Sequence, residues 1–180
     1  EFPFLNLTVS GGHTLLVLVN DHLDMTVLGS TVDDAAGEAF DKGAKVLGLP
    51  YPGGPLIDRH ATDGDSRRYK LPMPQVPDAD FSFSGTKTAF NNLVQRGMQS
   101  DPDFATRELP HLCASLQQSI VDILLRKVQK TARRTGVRHI AMSGGVSANS
   151  ALRTQFNALA SREGWQAHVP PPAYCTDNGA

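Results

Sequence analysis

Most features that would announce a partner or a compartment are scarce in this chain. Its 180 residues hold two cysteines, Cys113 and Cys175. That is too few for a disulfide framework or a zinc module, which points to a reducing compartment and makes the cytoplasm the expected location. Charge of one sign is missing too: 17 Lys and Arg against 18 Asp and Glu leave a formal −1. No bulk field therefore draws the chain to nucleic acid, and such a contact has to come from a local patch or a partner protein. No apolar run is long enough to span a bilayer, and Glu1-Phe2-Pro3-Phe4 has neither the basic nor the apolar region of a signal peptide, so no membrane partner is expected. The six histidines form no HxxxH or HExxH pair, which removes the usual zinc-protease pattern.

What is present suffices for one domain. At 40% hydrophobic residues a chain of this length can bury one core, with a small insertion, but hardly two complete ones. Without an initial Met, and ending in a Thr-Asp-Asn-Gly string that reads as a helix entry, it is expected to be cut from something longer.

The hydrophobic period changes along the chain. Phe4 to Val9 alternates, Ser10-Gly11-Gly12 breaks the pattern, Leu15 to Val19 is a β-type run and Met25 to Thr31 a third, predicting three antiparallel strands. From Asp33 the spacing of Ala35, Ala36, Ala39, Phe40, Ala44 and Leu47 predicts a helix carrying Asp33, Asp34, Glu38 and Asp41 and ending at Gly48. Leu49-Pro50-Tyr51-Pro52-Gly53-Gly54-Pro55 predicts a rigid loop, followed by a short helix from Ile57 to Ala61. Residues 63–110 lose periodicity and read as a surface insertion holding one helix, Lys87 to Arg96. Leu109 to Arg134 predicts a long amphipathic helix stopped by Gly136. A strand (Val137 to Met142), a glycine turn, a helix (Asn149 to Arg162) and a strand (Gln166 to Val169) complete a unit of parallel-sheet type.

Two Ser-Gly-Gly loops carry the candidate chemistry. Val9-Ser10-Gly11-Gly12-His13-Thr14 sits at a hairpin tip, where backbone N–H groups can converge on an anion, although an isolated turn of this kind is commonly only a turn. Met142-Ser143-Gly144-Gly145-Val146-Ser147-Ala148-Asn149 follows a strand and opens a helix, the context that holds phosphate or ribose. It is neither the Walker pattern nor GxGxxG. The carboxylates on the helix from Asp33 suit ribose hydroxyls or a metal, or else form a solvated face. In Asp78 to Lys87 the pattern reads as an edge strand with Ser84 or Gly85 capping a helix. Arg67, Arg68, Lys70, Lys87 and Arg96 offer a basic surface for RNA backbone, or a solvated one.

In order along the chain, VSGGHT (Val9 to Thr14), DDAAGEAFDK (Asp33 to Lys42), YPGGP (Tyr51 to Pro55), FSFSGTKT (Phe81 to Thr88), SGGVSAN (Ser143 to Asn149) and CTDNGA (Cys175 to Ala180) resemble the bacterial tRNA threonylcarbamoyladenosine synthase subunit family, TsaD, formerly described as O-sialoglycoprotein endopeptidases. The resemblance implies an α/β fold of the actin-like ATPase (ASKHA) superfamily: a ribonuclease-H-like half, with a mixed sheet flanked by helices, of a two-lobed molecule that is truncated here. It implies transfer of a threonylcarbamoyl group from threonylcarbamoyl-AMP to N6 of the adenosine 3′ of the tRNA anticodon, position 37. Carried over, Thr8, Val9, Ser10, Gly11, Gly12, Asp41, Gly54, Asp58 and Asn149 are the expected substrate-binding residues and Asp177 a metal ligand. The implied cofactors are a divalent metal, iron or zinc, with an incomplete ligand set here, and threonylcarbamoyl-AMP or ATP/ADP as nucleotide. The implied partners are tRNA, a degenerate TsaB-like paralogue and a small TsaE-like ATPase, in a homo- or heterodimer. The family's first half, with its histidine pair, is expected to be absent, so the fragment alone should be inactive. Rival readings are a non-catalytic paralogue or scaffold, a metallo-glycoprotease and a sugar-kinase-like phosphotransferase.

Overall fold

The computed structural model describes residues 1–171, 174 and 175. A five-stranded mixed sheet has the order β3-β2-β1-β4-β5. β1 (Phe4–Val9), β2 (Thr14–Asp21) and β3 (Asp24–Ser30) form the antiparallel meander that the alternation predicts, and β4 (His139–Ser143) and β5 (Gln166–His168) continue it in parallel. On β1, Leu5, Leu7 and Val9 are fully buried while Asn6 and Thr8 are half-buried, so a period of two assigns one face to the core. The register places Thr8 beside Ser143, and thus sets the ends of both Ser-Gly-Gly strands side by side.

Among the described residues six α-helices pack over this core: α1 (Ala36–Val46), α2 (Gly53–Ala61), α3 (Ser84–Ser100), α4 (Phe104–Arg107), α5 (Leu109–Thr135) and α6 (Ser150–Glu163). α5 buries Leu112, Leu116, Ile120, Ile123, Leu124 and Val128 along one stripe and stops at Gly136, whose φ of +71° is the left-handed C-terminal conformation. Phe81, Phe83, Phe90 and Phe156 are fully buried, tying residues 81–90 and α6 to the same core. No described helix is long and apolar enough to cross a membrane.

Several expectations need correction. α1 begins at Ala36, so Asp33 and Asp34 precede the helix: Asp33 accepts hydrogen bonds from Ser82 Oγ (2.5 Å) and Phe83 N (2.8 Å), and Asp34 bridges Lys42 (2.8 Å) and Lys87 (2.6 Å). α2 starts at Gly53 inside the expected rigid loop, because first-turn N–H groups need no intrahelical partner, Pro55 there loses nothing, and Asp41 Oδ1 accepts from Gly53 N (2.8 Å) and Gly54 N (3.3 Å). α3 spans Ser84–Ser100, longer than predicted at both ends. Neither Ser84 nor Gly85 caps it; Asp33, about fifty residues away, does. The expected edge strand is reduced to a single bridge between Thr31 and Phe81.

Candidate functional site

The two Ser-Gly-Gly loops are brought together by contacts that only glycine permits. Gly144 has φ +89°, and a Cβ there would overlap the carbonyl of Val9, so the second loop lies directly on the end of β1. A Cβ on Gly37 would stand 2.7 Å from the Ser10 carbonyl, so the first loop rests on the start of α1. The free N–H groups of that helix start are taken up by the same loop: Ala36 N donates to Thr14 Oγ1 (2.9 Å) and Gly37 N to the Ser10 carbonyl (3.1 Å). Thr14, Gly37 and Ser10 therefore fix the angle between hairpin and helix.

Between these loops and α1, α2 and α6 lies a cavity of about 290 Å³. Gly11, Asp41, Gly54, Asp58 and Asn149 line it, as do Gly37, Phe40, Pro52, Pro55, Gly145, Val146 and Ala148. Its size lies near the lower end of small-molecule sites, which run from roughly 300 to 1,000 Å³. Its polarity is mixed. Gly145–Ala148 forms a 3-10 turn, in which Ser147 N and Asn149 N bond back within the loop while Gly145 N and Val146 N find no acceptor among the described residues. The N–H of Gly11 is likewise unclaimed. The carboxylates of Asp41 and Asp58 share this lining, with Phe40, Pro52 and Pro55 as its apolar part.

Each polar side chain of the site is anchored by a structural bond. Asp41 holds α2 through Oδ1, and Oδ2 takes no bond among the described residues. Asp58 accepts from Ser150 N (3.0 Å) and Ser150 Oγ (2.7 Å), joining α2 to the start of α6. Asn149 Oδ1 accepts from Leu152 N (2.9 Å) as the cap of α6, and its amide donates to Gln117 Oε1 of α5 (2.7 Å). Arg153 donates to the carbonyls of Ser147 (3.2 Å) and Pro170 (2.9 Å), tying the 3-10 turn to the segment after β5.

The other residues singled out from the sequence stand next to the cavity rather than in its lining. Thr8 Oγ1 accepts from Asn6 Nδ2 (2.8 Å) and Ser143 Oγ (3.4 Å); Val9 is the buried last residue of β1. Ser10 Oγ accepts from Gly12 N (3.3 Å) and His13 N (3.0 Å), which closes the turn at the hairpin tip. Asp177 lies outside the described residues. Among the described residues no three His, Cys, Asp or Glu side chains gather as a metal-ligand set. Gly37, Gln117, Ser150 and Arg153 were missed from the sequence: none stands in a glycine string, and only the packing of distant segments gives them their contacts.

A family model described as TsaD, tRNA N6-adenosine threonylcarbamoyltransferase, matches residues 1–180. The chain belongs to this family. It is 51% identical over 179 residues to the tRNA N6-adenosine threonylcarbamoyltransferase of Christiangramia forsetii, covering 99% of this chain and 53% of that protein. To the protein of the same name from Cytophaga hutchinsonii it is 49% identical, covering 100% of this chain and 52% of that one. The chain thus spans about half the length of the curated relatives it matches. Among solved structures, full-length HypF in a phosphate- and nucleotide-bound form superposes over 99% of this chain and 32% of that one, with TM-score 0.72 at 11% identity. HypF of T. kodakarensis superposes over 98% of this chain and 32% of that one, with TM-score 0.65 at 13% identity. The threonylcarbamoyltransferase family is the one the sequence implied, as is the α/β fold with a mixed sheet flanked by helices.

Proposed function

We propose that this chain supplies the nucleotide-binding half of a tRNA threonylcarbamoyltransferase and holds the adenylate end of threonylcarbamoyl-AMP in the cavity. The observation that carries the reading is that one lining combines N–H groups of Gly11, Gly145 and Val146, unclaimed among the described residues, with the carboxylates of Asp41 and Asp58. Amide donors suit phosphate oxygens, and carboxylates accept from ribose hydroxyls but repel phosphate, so the two sets of groups together suit a nucleoside monophosphate. Phe40, Pro52 and Pro55 give the base an apolar surface.

The relatives' names supply the transferred group and its acceptor, N6 of a tRNA adenosine, and the adenylate donor is the one the resemblance implies. N6 of a tRNA adenosine attacks the carbamoyl carbonyl, a C–N bond forms, the bond from that carbon to the phosphate oxygen breaks, and AMP leaves as N6 loses a proton. Amides held on the phosphate stabilise the charge that develops on the leaving oxygen, and no covalent nucleophile is needed. A divalent metal, a TsaB-like paralogue and a TsaE-like ATPase belong to the same reading. Two structural neighbours fit it as well, one phosphate- and nucleotide-bound, the other a dehydratase activator with bound ADPNP.

The test is calorimetric titration of the chain with AMP, ATP and threonylcarbamoyl-AMP. Saturable binding of the adenylates that weakens about tenfold or more in Asp41→Ala is expected, since a hydrogen bond to a charged group contributes roughly 1.5–3 kcal/mol. No heat with any of the three sinks the proposal.

A further inference from the structure

A second and larger hollow, about 750 Å³, opens along the outer side of α5. Its far wall is residues 66–73, a strap without regular structure. The strap is nevertheless fixed. Arg68 Nε donates to Glu108 (2.6 Å), the Tyr69 hydroxyl donates to the same carboxylate (2.8 Å), and Tyr69 N donates to Ser115 Oγ (3.3 Å). With Arg68 and Tyr69 spent on that anchor, Arg67 and Lys70 line the hollow from the strap and Arg126 lines it from α5.

These three cations are little used within the molecule. The Arg67 side chain is 92% exposed and meets only Asp65, at 3.6 Å. Lys70 and Arg126 enter no ion pair among the described residues. Against them stands one carboxylate in the lining, Asp122, which accepts from Gln118 Nε2 at 2.9 Å. In a chain of net charge −1 this groove is a local excess of positive charge with cations on both walls.

We infer that the groove takes the sugar-phosphate backbone of RNA; the inference rests on the function proposed above and assigns the surface that reaction needs. From Gln118 to Arg126 the groove follows α5 for about 12 Å at 1.5 Å per residue, the length of roughly three nucleotides at about 3.4 Å each along one strand. Ser119 Oγ donates to the Ser115 carbonyl (2.9 Å) and keeps lone pairs that can accept from a ribose hydroxyl. Leu71, Pro72 and Met73 line the groove beside the cations and give ribose faces and bases an apolar strip to rest on; an acidic protein partner is the competing occupant that the experiment separates. Position also favours the substrate. Gln118 lines the groove and bonds to Gln155 of α6, and its neighbour Gln117 holds Asn149 of the cavity wall, so α5 connects the groove to the cavity through adjacent residues.

The deciding experiment titrates the chain with unmodified tRNA over a range of salt, for wild type and for Arg67→Glu, Lys70→Glu and Arg126→Glu singly and together, with Gln substitutions as the milder series should the triple Glu variant not fold. Each single change is expected to weaken tRNA binding several-fold and the triple more than tenfold. The slope of log K against log salt should fall by about 0.7–0.9 for each phosphate that is no longer neutralised, while AMP binding stays unchanged. Equal tRNA affinity and salt slope in wild type and a folded triple variant overturns the inference, as does a wild type that binds no tRNA. Intact tRNA binding combined with loss of a protein partner overturns it in favour of an acidic protein. Wild type that binds tRNA but no adenylate leaves the groove standing and removes the nucleotide reading, so the two failures are distinguishable.

Discussion

Asp41 illustrates how one side chain serves stability and ligand at once. Its Oδ1 caps α2 through Gly53 and Gly54, while Oδ2 takes no bond among the described residues and the side chain lines the cavity. Asp41→Ala removes both roles and should cost about 1 kcal/mol in urea unfolding. Asp41→Asn keeps a capping oxygen, so its unfolding midpoint should stay near wild type; an equal loss in both variants would show that capping is not what Asp41 contributes. Gly144 is fixed by contact and by conformation: its φ of +89° and the Val9 carbonyl where a Cβ would stand both exclude a side chain. Gly144→Ala should destabilise by at least about 2 kcal/mol and lower adenylate affinity, measured by denaturant titration and calorimetry. The Cys113 thiol, by contrast, is pushed up to about 12 by burial, so it is a core side chain rather than a nucleophile.

At the level of elements, helix starts are stabilised by side chains from other segments. α1 is capped by Thr14, α2 by Asp41 and α3 by Asp33, with only α6 capped by its own Asn149. The stop signals, by contrast, are local: Gly48 and Gly136, the two stops the sequence marks, both have positive φ just after α1 and α5. This is why helix ends were legible and three helix starts were not. Asp33→Ala should expose the Phe83 amide without disturbing the cavity. Faster hydrogen exchange at Phe83 and Ser84 and a loss of about 1 kcal/mol are expected; unchanged protection there would mean that α3 holds its first turn without Asp33.

For the molecule as a whole, ion pairs between distant segments make stability depend on acid. Burial would raise the Asp34 carboxyl, but the ammonium groups of Lys42 and Lys87 outweigh it and hold it below the usual carboxylate range. The Arg68 guanidinium and then the Tyr69 hydroxyl hold Glu108 down in the same way. A carboxyl depressed in the folded state contributes stability above its unfolded pKa, near 4, and loses it as pH falls through the lower folded value. The melting temperature should therefore be flat from about pH 7 to 5 and fall below about pH 4. In Asp34→Asn it should start lower at neutral pH and converge on wild type in acid; parallel curves would contradict the assignment.

The sequence by itself determined the local periods: three alternating strands, a long amphipathic helix, the glycines that end helices, and strings specific enough to imply the family and its type of fold. Those features depend on residues close along the chain. It also offered nine substrate-binding candidates, and only the tertiary structure separated Gly11, Asp41, Gly54, Asp58 and Asn149, which line one cavity, from Thr8, Val9, Ser10 and Gly12, which build the strand end and turn beside it. The same holds for the five basic residues read as a surface: Arg68 and Lys87 are taken up by Glu108 and Asp34, whereas Arg67 and Lys70 face a groove with Arg126. The reason is physical. A side chain's intrinsic chemistry is written in its identity, but whether its polar atoms are free depends on which distant donor or carboxylate the fold sets against them.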